Sequence, residues 1–476
     1  MTKEIDQSPA KPSILSRRNV LKAVGAGVVG GALYHGLDTL KLLPSVGNKL
    51  PDPQAGAMTY RVNPRNGDRI SLLGFGCMRY PMLPDALSPT GPGVDEAMAV
   101  RLAEYAYEHG VNYFDTAWPY HQGVSEVVLG KSLKRYPRES FFIADKMPTY
   151  LNPTREQAEG IFFQQLERCQ VEYFDYYLLH ALRDLEDYQQ VYEKNGVLDF
   201  LLEQKAAGRI RNLGWSFHGD RAMLEYVLSR NVDWDFAQVQ LNYHDILHEY
   251  QPTAARQQLS RFTEPVQTRW VLEQLTKADL PLFVMEPLLG GRLARLNKKA
   301  LAILQEERPD ASAASWAFRY VADLPNVICV LSGMTYMEHL QDNLRTYAPL
   351  ETLSSAEHAA LRRALDVFIT QDNIPCTACG YCMPCPYGVN IPGIFTHYNH
   401  CVDDEYVPKG VRDADYERAR RAYLVGYDRS ISDMRQASRC TGCNICTRHC
   451  PQGIAIPEQM TRLGKFVEQL RSRSEA

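Results

Sequence analysis

Val111-Asn112-Tyr113-Phe114-Asp115-Thr116 is an apolar run that stops on a carboxylate and a hydroxyl. Its length and its β-branched and aromatic content suit a strand buried on both faces. Seven more runs of this kind occur, at 70–76, 141–146, 174–180, 210–216, 236–242, 281–286 and 327–332. Helical stretches such as 95–109, 155–169 and 220–229 separate most of them. Strands alternating with helices pair in parallel through right-handed crossovers, and eight of them close most economically into a (β/α)8 barrel. An open doubly wound sheet would normally carry G-x-G-x-x-G after its first strand, and Gly74-Phe75-Gly76 lacks the third glycine.

In such a barrel chemistry sits at the C-terminal ends of the strands. Asp115 closes the second run, Lys146 the third and His180 the fourth, with Tyr120 in the loop after Asp115. Alone, each has a bland explanation: a loop cap, a solvated strand end, a core histidine, a packed ring. At one rim they make chemical sense together. A carbonyl being reduced needs a proton on its oxygen, and a tyrosine supplies it more readily when its pKa of about 10 is lowered. A lysine ammonium nearby would lower it, a carboxylate would hold the lysine, and the histidine would orient the substrate oxygen.

Eight of the twelve cysteines lie in two short runs, Cys376-x2-Cys379-x2-Cys382-x2-Cys385-Pro386 and Cys440-x2-Cys443-x2-Cys446-x3-Cys450-Pro451. Zinc uses well-separated C-x2-C pairs, and disulfide frameworks suit small secreted domains. Clustered runs of four point instead to two 4Fe–4S clusters, three thiolates from one loop and a fourth from elsewhere. By the rule of two-cluster ferredoxins, Cys450 would complete the cluster of Cys376, Cys379 and Cys382. Cys385 would then complete that of Cys440, Cys443 and Cys446. The first run has one residue fewer before its last cysteine than the usual bacterial spacing. The connection between the runs reads as mostly helical, especially at 416–426. Cys77, Cys169, Cys329 and Cys401 read as packing residues.

The rim residues also carry a resemblance. Phe114-Asp115-Thr116-Ala117 with Tyr120, then Ser125-Glu126 and Leu129-Gly130, Lys146 ending one strand and Tyr177-Leu178-Leu179-His180 ending the next, resemble the aldo-keto reductase signature. The resemblance spans about 60–348, and with the cysteine region the chain looks like an iron–sulfur branch of that family. It implies Tyr120 as acid and base, Lys146 and Asp115 as its tuning pair, and His180 as substrate orienter. It further implies NADP(H) or NAD(H) lying across the strand ends, against Ser216, Gln240, Ser332, Gly333, Asp342 and Asn343. Two of the family's positions differ: Phe217 replaces an asparagine, and Met285 replaces a tyrosine that stacks on nicotinamide. Gly333 offers no cation to a 2′-phosphate.

The organisation expected is therefore 1–57 as signal and linker, 58–350 as barrel, 351–372 as connecting helix and 373–476 as a smaller, mostly α-helical ferredoxin-like domain. Ser16-Arg17-Arg18-Asn19-Val20-Leu21-Lys22 before a Gly/Ala-rich apolar run at 23–37 resembles a twin-arginine export signal. That implies an extracytoplasmic protein, with an uncleaved signal as a membrane tether; a cytoplasmic location is the alternative. A net charge of −4 gives no sign of a nucleic-acid surface. The polar segment 244–265 reads as a lid or partner surface, and Trp118-Pro119-Tyr120-His121 as the wall of a pocket for a ring or sugar face. Function then divides three ways. The first is an exported oxidoreductase acting on a small carbonyl or alcohol, with the clusters serving an electron-transfer partner, a flavoprotein for instance. The others are a reductase with structural clusters, and a non-enzymatic electron-transfer or sensor subunit.

Overall fold

The computed structural model describes residues 56–83, 93–248, 267–408 and 410–472, all within one compact unit. The twin-arginine stretch, the apolar run after it and most of 244–265 lie outside the described residues. In chain order the strands are β1 (Tyr60–Val62), β2 (Arg69–Ser71), β3 (Leu73–Gly76), β4 (Tyr113–Asp115) and β5 (Phe142–Met147). They continue with β6 (Phe174–Leu182), β7 (Ile210–Phe217), β8 (Phe236–Gln240), β9 (Leu282–Met285) and β10 (Val327–Ser332). β3 to β10 form a closed barrel of parallel strands, sealed where β10 pairs with β3. The first sequence run is split: 69–71 belongs to a hairpin with β1, and only 73–76 enters the barrel. Ile70 from that hairpin packs among the inward-facing residues and plugs the barrel floor.

The barrel interior is a packed aromatic core rather than a channel. Tyr113, Tyr176, Phe236 and Phe283 fill it, with Tyr176, Phe236 and Phe283 centroids about 5.1–5.2 Å apart. The helices form where polar residues can cap them. Asp95 accepts from the Met98 amide at the head of Glu96–Glu108, Thr154 and Gln157 make a capping box on Arg155–Cys169, and Asp220 caps Arg221–Ser229. The signature residues Glu126 and Gly130 serve this packing. Glu126 is fully buried and ion-paired to Arg168 at 2.8 Å, and a Cβ at Gly130 would meet the Arg168 carbonyl at 2.7 Å.

Helix Ser355–Ile369 leads to a second core built from Ile391–Asp403, Tyr416–Ser430 and Ile456–Ser472. The two cysteine runs are the loops between these helices. No described helix is long and apolar enough to cross a membrane. Cys77, Cys169 and Cys329 are buried among barrel residues and Cys401 in the second core.

Candidate active site

The C-terminal ends of β4, β5 and β6 bring Asp115, Lys146 and His180 to one rim, and Tyr120 reaches them from the short helical turn Tyr120–Gly123. Lys146 Nζ donates to Asp115 Oδ1 and to the Thr116 carbonyl, both at 2.6 Å, in a pair almost wholly buried. It lies 5.2 Å from the centre of the Tyr120 ring, whose edge meets His180 at 6.2 Å between centroids. Burial, then Lys146 and Arg183, holds His180 well below its usual pKa, so it is a neutral imidazole at neutral pH.

The sequence-based expectation that Lys146 lowers the Tyr120 pKa fails. Burial raises Tyr120 well above its ordinary value, and Tyr381 and Asp115 raise it further. Lys146 spends its charge on Asp115 and Thr116. Tyr120 is thus kept as a phenol, a proton donor at neutral pH.

Over this rim sits the first cysteine loop. Tyr381, between Cys379 and Cys382, places its hydroxyl 3.5 Å from His180 Nε2, and Arg183 lies 5.1 Å over its ring. Arg79, in the turn after β3, donates from its two terminal nitrogens to the Thr377 and Ala378 carbonyls at 2.7 and 2.9 Å. A cavity of about 730 Å³ runs from Tyr120, His121, Tyr150 and His180 into the space between the thiols, and six of the eight motif cysteines line it. Trp118 is turned away from this cavity and stacks under Arg168, with 4.2 Å from the guanidinium to its ring centre.

The cysteine loops fit clusters in both donor set and backbone. Each run has left-handed residues at the same two places, Ala378 and Gly380 in the first, Gly442 and Asn444 in the second. This winds both loops alike around their thiols, and the Ala378 amide donates to Cys376 Sγ at 3.4 Å. Cys450 is an electrostatic neighbour of Cys376, Cys379 and Cys382. Burial pushes the Cys376 thiol up to about 12, and the charges of Cys379 and Cys450 push the same way; iron is what such a group needs to exist as thiolates. The loop of Cys440, Cys443 and Cys446 is the more exposed of the two.

Five of the six residues expected against a nicotinamide nucleotide are hydrogen-bonded within the protein, and the sixth, Gly333, is exposed. Ser216 Oγ accepts from the Ala181 amide at 2.7 Å, and Gln240 bonds His218. Asn343 donates to Ser332 Oγ at 3.0 Å, and Asp342 accepts from Ser312 at 2.6 Å. Gly333 lies under the Arg79 side chain, which a Cβ there would strike. None of the six lines the cavity.

Arg79, Arg183 and Tyr381 were missed in the sequence. Tyr381 carried the only usable signal, an aromatic ring held between two ligand cysteines.

The Aldo/keto reductase family model matches residues 73–366, and a 4Fe-4S dicluster domain model matches residues 375–455. Among curated proteins, the uncharacterized oxidoreductase YqkF of Bacillus subtilis is 24% identical over 303 residues, covering 62% of this chain and 92% of its own. The NADH-specific methylglyoxal reductase of Escherichia coli is 22% identical, covering 53% of this chain and 83% of its own. The solved aldo-keto reductase AKR11C1 from Bacillus halodurans is 21% identical with a TM-score of 0.49, covering 64% of this chain and 96% of its own. A family model that spans the barrel from β3 into helix Ser355–Ile369 leaves one conclusion: the chain belongs to the aldo/keto reductase family and carries a 4Fe–4S dicluster domain behind its barrel.

Proposed function

We propose that this protein is an exported oxidoreductase that interconverts a small carbonyl and its alcohol at the rim of the barrel, exchanging electrons with a redox partner through its two clusters. The observation that carries this reading is the shared cavity, with Tyr120 and His180 on one wall and cysteines of both runs on the others.

The barrel residues handle the proton and the oxygen. Reduction of the carbonyl takes two electrons and two protons: Tyr120, held as a phenol, donates the proton that goes to the substrate oxygen, and water entering the cavity supplies the one that goes to carbon. His180, neutral and beside Tyr120, orients the oxygen from the other side. The buried Lys146–Asp115 pair braces the rim beneath the ring of Tyr120. Two 4Fe–4S clusters, when held by Cys376, Cys379, Cys382 and Cys450 and by Cys440, Cys443, Cys446 and Cys385, exchange one electron each, two in all.

The first loop carries Tyr381 to the tetrad, and the second is the more exposed of the two, with Ile445 open to solvent, which suits an electron-transfer protein such as a flavoprotein. Export through the twin-arginine route rests on Arg17-Arg18 and the apolar run after them, and suits a protein folded around its clusters. A Tyr120→Phe variant that still loads both clusters tests the reading. It should lose carbonyl reduction driven by a one-electron donor, and full activity in that variant would defeat it.

A further inference from the structure

The aldo/keto reductase family implies a nicotinamide nucleotide across the strand ends, and at that rim this chain packs its cysteine loop against the turns after β3 and β9. We infer that the segment 376–382 fills the pocket where nicotinamide would lie, so that the protein works without a bound nicotinamide nucleotide and presents Tyr381 to the substrate in its place. The inference rests on the proposed reaction site at the barrel rim.

Three contacts fix the segment. Gly290, in the turn after β9, has φ +69°, and any Cβ there would collide with the backbone and side chain of Thr377. Only glycine allows the cysteine loop to settle so close to the barrel. Thr377 is itself 2% exposed, so its seat is a filled one. Arg79 then clamps the loop from the other side, donating to two successive carbonyls while its own carbonyl accepts from Thr335 Oγ1 at 3.0 Å, just beyond β10. The aliphatic stem of Arg79 also lies against Gly333, where a Cβ would strike its Cβ and Cγ. The third contact is Tyr381 at His180, where a substrate-facing group is expected.

The remaining nucleotide candidates agree with this. Ser216 and Ser332 are buried and hydrogen-bonded internally, and Gln240 is bonded to His218.

The test is equilibrium binding of NADPH, and separately NADH, to the anaerobic full-length holoprotein, followed by nucleotide fluorescence and calorimetry. No saturable binding is expected up to about 1 mM, the top of the usual KM range. Saturable binding below that concentration would overturn the inference. Gly290→Ala, and independently Arg79→Ala, should speed amide exchange across 376–382 by about tenfold or more while β4–β6 stay protected. Exchange unchanged in a folded variant would equally overturn it. Failure here leaves Tyr120-dependent turnover untouched, whereas failure of the proposed function appears as turnover that ignores Tyr120.

Discussion

Tyr381 and His180 are 201 positions apart in the chain, yet the Tyr381 hydroxyl lies 3.5 Å from His180 Nε2. One comes from a cluster-binding loop and the other from the end of β6. One side chain therefore links the loop of Cys379 and Cys382 to the rim of the barrel.

Tyr381→Phe tests what that hydroxyl does. Loss of one hydrogen bond of about 1 kcal/mol corresponds to roughly a fivefold fall in kcat, with KM little changed. Cluster absorbance should be unaltered, since neither neighbouring cysteine is touched. If kcat and KM both match the parent protein, Tyr381 is only a wall of the cavity.

His180 should not titrate near neutrality. Burial and the charges of Lys146 and Arg183 keep it neutral, so kcat/KM is expected to show no limb near the ordinary histidine pKa of about 6.5. The measurement is a pH profile of carbonyl reduction between about pH 5.5 and 8. A limb near 6.5 that disappears in His180→Gln would contradict the neutral-imidazole role.

Glu357 ties the helix after the barrel to the barrel itself. It accepts from Arg319 at 2.7 and 3.1 Å and from Arg308 at 2.5 Å, and it closes the capping box with Ser354. Burial alone would raise its pKa, but Arg319, the Ser354 amide and Arg308 bring it down to about 2. A depressed carboxylate stabilises the fold above its unfolded pKa, so the contribution is complete above about pH 4.5 and fades toward pH 2. Glu357→Gln should cost about 2 kcal/mol in urea unfolding at neutral pH, and the same near pH 5. A cost that disappears between those two pH values would show that the ion pairs are not its source.

Export should depend on the arginine pair. Arg17→Lys together with Arg18→Lys should leave the protein in the cytoplasmic fraction with its clusters loaded. Unchanged export of the double variant would remove the twin-arginine reading.

The sequence made the barrel legible because its strands are short apolar runs separated by helical stretches, several of them capped, as by Asp95, Thr154 and Asp220. It misread 70–76 as one strand, since alternation alone does not show that Ser71 and Leu72 turn a corner between the floor hairpin and the barrel wall. The rim residues could be found because strand ends are fixed points of the architecture. The tuning of Tyr120 could not, because it depends on how deeply the cysteine loop buries the ring and on where Lys146 donates. For the same reason Gly333 looked like part of a nucleotide turn. Only the fold shows Arg79 lying across it, held there by carbonyls nearly three hundred residues away, at Thr377 and Ala378.

The most direct test of one shared site is to reduce the clusters of the full-length protein anaerobically, remove the reductant, add carbonyl compounds, and follow cluster reoxidation by absorbance and EPR. The expected result is reoxidation by a subset of carbonyls, without nucleotide, slowed about 10²- to 10⁴-fold in Tyr120→Phe. Equal rates in the parent and Tyr120→Phe proteins would contradict it.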